Sequence, residues 1–155
     1  MSAARPPASP RAATSDAASE SSQPRDPKAE RKAYDAAFQL LREGRYDDAA
    51  GAFSQFLKDF PDGPYADNAQ YWLGEARYVT RNFEPALEAF RTVVAQHPDS
   101  AKVPDARLKM GYTLYEMGRY DEARKVLETV TKQHRDSAVA RLAEERLVRM
   151  KNEGH

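Results

Sequence analysis

The residues best equipped for chemistry in this 155-residue chain are three histidines, a few paired carboxylates and eight tyrosines. His97 and His134 stand 37 residues apart and share their slot with Phe60, another 37 residues upstream. A slot that takes phenylalanine as readily as imidazole is a packing slot, and His155 is the terminal residue, so no ligand or general base is expected among them. The acid pairs Asp47-Asp48, Asp121-Glu122 and Glu144-Glu145 fall at helix starts or on a polar face. Near a helix N-terminus the macrodipole is reason enough for a carboxylate. There is no cysteine, which removes disulfides, thiolate nucleophiles and cysteine metal sites. No HExxH, GxxxxGK[ST] or GxSxG pattern occurs. These residues predict a protein that is not an enzyme, with no catalytic residues, no metal and no cofactor.

The tyrosines belong to a larger order. Ala49, Ala86 and Ala123 recur at a spacing of 37 residues, as do Tyr46, Phe83 and Tyr120, then Phe53, Phe90 and Leu127, then Ala37, Gly74 and Gly111. Small and aromatic residues locked to fixed phases of one period mark a stacked-repeat protein. Each unit reads as two antiparallel helices. The small residues let the helices approach closely, the aromatic after the turn plugs the gap, and the large apolar residue four positions past the alanine is expected between units. A single pair cannot bury its own apolar stripe, so stacking supplies most of the stability.

Apolar spacing places the helices. They are expected at about 28–43, 46–59, 65–80, 83–96, 101–117, 120–133 and 138–151. Gly44 and Gly118 end the first and fifth by offering a left-handed residue. Pro85 and Pro104 sit in first turns, where the missing N–H costs little. The seventh helix begins as a fourth repeat and then acquires the polar residues Glu144, Glu145, Arg146 and Arg149, as an end helix must. The expected organisation is a linker at 1–27 followed by a repeat domain at 28–152, with units at about 28–63, 64–100 and 101–137 and a cap at 138–152. The linker is read as disordered because it is Ala, Ser, Pro and Arg with almost no large apolar side chain. A linker joins two parts, so an N-terminal part ahead of it is expected.

Lys plus Arg equals Asp plus Glu at 24 each. Residues 33–98 hold 6 basic and 10 acidic side chains, and residues 99–155 hold 12 and 10. This mild polarity is far from the basic stripe that nucleic acid requires, so no nucleic-acid partner is expected. No apolar run approaches the roughly 20 residues that span a bilayer, so no membrane insertion is expected. The first ten residues lack the apolar core of a secretory signal. The chain therefore reads as cytosolic or as a mature or truncated piece.

The pattern resembles the tetratricopeptide repeat, through Gly44, Ala49, Phe53 and Pro61 and again through Leu73-Gly74, Ala86, Phe90 and Pro98. The family repeat is about 34 residues. The three extra residues here fall in the turns Pro61–Pro64 and Pro98–Ala101. With that lengthened turn and the stretch Asp67-Asn68-Ala69-Gln70-Tyr71-Trp72-Leu73-Gly74-Glu75, the chain is similar to the C-terminal domain of the periplasmic cell-division coordinators of the Tol–Pal system, the YbgF/CpoB family. The resemblance covers about Lys28 to Lys151. It implies an all-α tetratricopeptide-repeat superhelix of three helix pairs plus a C-terminal capping helix, in the periplasm. It implies the inner-membrane protein TolA and the peptidoglycan synthase machinery as partners. It also implies an N-terminal coiled coil, and through it an oligomer, upstream of the linker.

First helices of such a stack line its concave side. Positions three before, one after and four after the small residue then face the groove. They are Tyr34, Phe38 and Leu41 in unit one, Tyr71, Glu75 and Tyr78 in unit two, and Leu108, Tyr112 and Tyr115 in unit three. Two readings stand. Aromatic stripes at helical spacing pack superhelix interiors, but tyrosine hydroxyls need partners, which a wet groove supplies, and aromatics dominate binding hot spots. Trp72 is expected to pack at the contact of units one and two. Arg77 occupies a phase that is usually apolar and either snorkels or pairs with an acid. Two other functions share this architecture. An outer-membrane-assembly lipoprotein needs a lipidated cysteine, which is absent. A cytosolic co-chaperone that clamps a carboxylate needs Lys and Asn in the groove, where this chain has Phe38, Glu75 and Tyr112.

Overall fold

The computed structural model describes residues 26–155. The linker, apart from Asp26 and Pro27, lies outside these residues. Seven α-helices follow in the described residues: α1 Pro27–Arg42, α2 Tyr46–Asp59, α3 Ala66–Val79, α4 Phe83–Gln96, α5 Val103–Glu116, α6 Tyr120–Gln133 and α7 Ala138–Asn152. Each packs against the next in the chain, giving three antiparallel pairs and a closing helix. The fold is an all-α tetratricopeptide-repeat superhelix, as expected.

Local chemistry sets the ends. Asp26 caps α1 by accepting from the Lys28 N–H at 3.0 Å, with Pro27 at the first helical position. Ser137 caps α7 by accepting from the Ala140 N–H at 3.1 Å. Gly44 and Gly118 adopt φ of 74° and 75°, so the Arg45 and Arg119 N–H groups turn back to the Leu40 and Leu114 carbonyls. The second turn of this type lacks glycine, and Arg81 holds φ 63° in its place. Helix α5 starts two residues later than the pattern suggests. Ser100 draws Ala101 and Lys102 into a turn, accepting from the Lys102 N–H while donating to Asp67 at 2.5 Å.

The small-residue slot acts as expected. A Cβ on Gly74 would lie 2.6 Å from the Phe90 ring, and one on Gly111 would lie 2.4 Å from Leu127. Phe90 therefore rests on Gly74 of its own unit, where the sequence suggested a position between units. It also clusters with Val103 and Ala106 of the next unit, so it serves both contacts. Ala49, Ala86 and Ala123 are fully buried. His97 and His134 close α4 and α6 by donating their backbone N–H groups to Val93 and Val130.

Candidate partner-binding groove

At both ends of the stack a first helix packs against the first helix of the next unit. Helix α1 touches α3 and α5 touches α7, whereas no such packing joins α2, α4 and α6. Contact beyond that of neighbouring helices is therefore made on the first-helix side at both ends of the stack. The nine expected groove residues all sit on α1, α3 and α5.

Their exposure divides them. Tyr71 and Leu108 retain only 7% and 4% of their surface and belong to the core clusters. They occupy the same phase, three residues before the small slot, where the following unit closes over them. Tyr34, Phe38, Leu41, Glu75, Tyr78, Tyr112 and Tyr115 are half-buried.

On α1, Tyr34 stacks on Tyr65 at 4.9 Å, and Phe38 meets Trp72 edge-on at 5.3 Å. Trp72 thus packs where units one and two meet, as expected. Further along, cations replace the rings. The Lys102 ammonium lies 4.9 Å from the Tyr71 ring and 5.0 Å from Trp72. Lys109 pairs with Glu75 at 3.1 Å and stands 5.3 Å from the Tyr78 ring and 5.9 Å from Tyr112. Arg146 stacks over Tyr112 at 4.0 Å and reaches Tyr115 at 4.8 Å. One guanidinium nitrogen of Arg146 is buried without a hydrogen-bond acceptor. The ring face beneath it supplies the missing electron density.

These side chains form a series. Phe38, Glu75 and Tyr112 share one slot, and their partners Trp72, Lys109 and Arg146 share another, 34 residues on. One geometric contact is therefore aromatic between units one and two, ionic between two and three, and cation–π against α7. Sequence reasoning found the first slot and missed two of the three partners, although the 37-residue period carries both.

The hydroxyls report the same environment. Burial raises the Tyr34, Tyr78 and Tyr112 pKa values. Tyr71 is raised furthest, first by burial and then by the Glu75 and Asp105 charges. Tyr115 differs. It donates to Glu153 at 2.6 Å, which raises the phenol and lowers the carboxyl. Arg77 is half-buried along α3, with no carboxylate in ion-pair range among the described residues. No group of three potential metal ligands occurs among the described residues, and no helix there is long and apolar enough to cross a membrane.

Two family models, each described as a tetratricopeptide repeat, match residues 34–101 and 86–145. The chain belongs to the tetratricopeptide-repeat family. It is similar to the cell division coordinator CpoB of Pseudomonas putida, with 54% identity over 55 residues, covering 36% of this chain and 20% of that protein. It is also similar to CpoB of Escherichia coli K12, with 48% identity over 46 residues, covering 29% and 18%. The matched stretch thus spans about a fifth of the curated relatives' length. Among solved structures, the Yersinia enterocolitica type III secretion chaperone SycD in complex with a peptide of the translocator YopD superimposes with a TM-score of 0.72 at 16% identity, over 84% of this chain and 98% of that one. A CopN–Scc3 complex gives 0.66 at 17%, over 79% and 69%. At these identities the likeness is one of fold.

Proposed function

We propose that this tetratricopeptide-repeat protein is a non-catalytic scaffold of bacterial cell division that receives a segment of a protein partner along its first-helix face. The observation that carries this reading is the run of half-buried rings on that face, from Phe38 through Tyr78 and Tyr112 to Tyr115, interleaved with Lys109 and Arg146. Half-buried aromatic and arginine side chains offer large contact area at small ordering cost, which is the composition of binding hot spots. The similarity to CpoB supports the cell-division setting. In that setting the chain works in the periplasm, and its partners are TolA and the peptidoglycan synthase machinery, which it couples during constriction.

Binding of a purified periplasmic fragment of TolA, followed by calorimetry, tests the reading. Tyr112→Ala and Phe38→Ala each remove a hot-spot-sized contact of about 2 kcal/mol, which is about 30-fold in Kd. Unchanged affinity in variants that keep the helical circular dichroism of the parent would dismiss the groove.

A further inference from the structure

The three units are internal controls for one another, and one turn departs from its sisters. The turn after the first helix reads Arg42-Glu43-Gly44-Arg45 in unit one and Glu116-Met117-Gly118-Arg119 in unit three. In unit two it reads Val79-Thr80-Arg81-Asn82. Two features set this turn apart. Val79 is 43% exposed, one of three exposed large apolar side chains among the described residues, where the sisters carry charge. Arg81 holds the left-handed φ of 63° that the sisters give to glycine.

The fold does not account for these choices. The Arg81 guanidinium lies 5.1 Å from the Phe83 ring, and that contact is of the same order as the backbone strain it accompanies. Stability therefore does not select arginine over glycine. Nor does ion pairing. The arginines that follow the sister glycines, Arg45 and Arg119 in the slot of Asn82, hold Asp48 at 2.8 Å and Glu122 at 2.5 Å. Arg119 also reaches Glu84, the carboxylate nearest Arg81 in sequence, at 4.0 Å. Arg81 has no carboxylate in ion-pair range among the described residues. The turn is instead braced by its own side chains, with Asn82 Nδ2 donating to Thr80 Oγ1 at 2.9 Å and Thr80 Oγ1 donating to the Ala76 carbonyl at 2.9 Å. A braced turn holds its two exposed side chains ready for a partner.

We infer that the α3–α4 turn is a docking point for a segment of the protein partner that carries a carboxylate next to an aliphatic side chain. Arg81 takes the carboxylate through its planar fork of donors. The exposed Val79 takes the aliphatic group, and its chain neighbour Tyr78 packs edge-on against Phe83 at 5.7 Å. Tyr78 also belongs to the groove, so the segment passes from the groove floor over its rim. The inference rests on the groove reading in that respect.

Short peptides displayed on phage are selected on the chain, and the enriched sequences are synthesised for Kd measurement. The expected result is enrichment of Asp or Glu adjacent to Leu, Ile or Val. The exchange Val79→Glu, Thr80→Met, Arg81→Gly, Asn82→Arg installs the turn that unit three already folds, and it should weaken these peptides by about fivefold or more. Arg81→Gly alone, which suits the backbone, serves if the exchange fails to fold, and should weaken them by about threefold or more. A smaller loss, or enriched peptides without the acid–aliphatic pair, overturns the inference. Loss on Tyr112→Ala with none on the turn exchange overturns it while leaving the groove reading in place. Peptides indifferent to both, or no enrichment at all, overturn both.

Discussion

Gly74 and Gly51 are both helix-interior glycines, yet alanine should act on them with opposite sign. In a helix interior alanine is favoured over glycine by about 1 kcal/mol. At Gly51, on the exposed side of α2, a Cβ meets nothing within 4 Å, so the gain is kept. At Gly74 the new carbon would stand 2.6, 2.7 and 2.9 Å from three carbons of the Phe90 ring. Ordinary carbon contacts are about 3.5–4.0 Å, so the ring or the helix must retreat by about 1 Å. Phe90 is fully buried and packed against Tyr71, Val93, Val103 and Ala106, so the shift is passed into the contact of units two and three. Overpacking costs about 1–3 kcal/mol, and three contacts under 3.0 Å on a fully buried ring put this one in the upper half, about 2–3 kcal/mol. Set against the propensity gain, Gly74→Ala loses about 1–2 kcal/mol, and for a domain of this size the Tm falls by about 3–6 °C. Gly51→Ala raises it by about 2–3 °C. Thermal melts by circular dichroism, with urea titrations followed at Trp72, measure both. A Gly74→Ala protein as stable as the parent would refute the close-approach account of the 37-residue slot.

Three further outcomes follow from the geometry. The Glu75–Lys109 pair, with side chains 20% and 23% exposed, bridges the second and third units. A double-mutant cycle with Glu75→Gln and Lys109→Met should give a coupling of about 1 kcal/mol that shrinks with added salt, and a coupling of zero would remove it as a joint. Asp67→Ala deprives Ser100 of its acceptor in the lengthened turn and should cost about 1 kcal/mol in urea unfolding, since a single net hydrogen bond is worth that much. Tyr71 ionises in the folded protein well above its ordinary pKa of 10.0, because burial penalises the phenolate. The unfolded chain therefore sheds that proton first, and stability is complete below pH 10.0 and falls as pH rises above it. Tyr71→Phe should flatten this alkaline decline, and an unchanged slope would place the burial elsewhere.

The helices were legible because small and large apolar residues must meet at a fixed interval for units to stack. Gly44 and Gly118 marked two turns, since only glycine takes a left-handed φ without strain. The turn at Arg81 carried no such mark, because its backbone is held by Thr80 and Asn82 side chains that a glycine rule does not read. Groove exposure was legible only in part. Helical phase places Tyr71 and Glu75 on one stripe, but a residue of the next unit decides which is covered. Lys102 and Val103 close over the Tyr71 phase, and no periodicity within α3 contains that fact. The same limit hid Lys109 and Arg146, whose ring partners lie about one repeat away in sequence.

The division of labour among slots follows from these contacts. The slot of Ala37, Gly74 and Gly111 admits only small residues, because an α2, α4 or α6 side chain presses on it; chemistry there is closed to change. The slot of Phe38, Glu75 and Tyr112 and its partner slot accept a ring on a ring, a carboxylate on an ammonium, and a ring under a guanidinium without moving the helices. Each option joins neighbouring units by a comparable amount, of order 1 kcal/mol. What differs is the chemistry at each joint: apolar at the first, ionic at the second, cationic over rings at the third. Stacking alone therefore does not fix the residue types at these positions. The repeat-defining residues thus hold the joints in place, while the contacts at the joints change from unit to unit on the first-helix side.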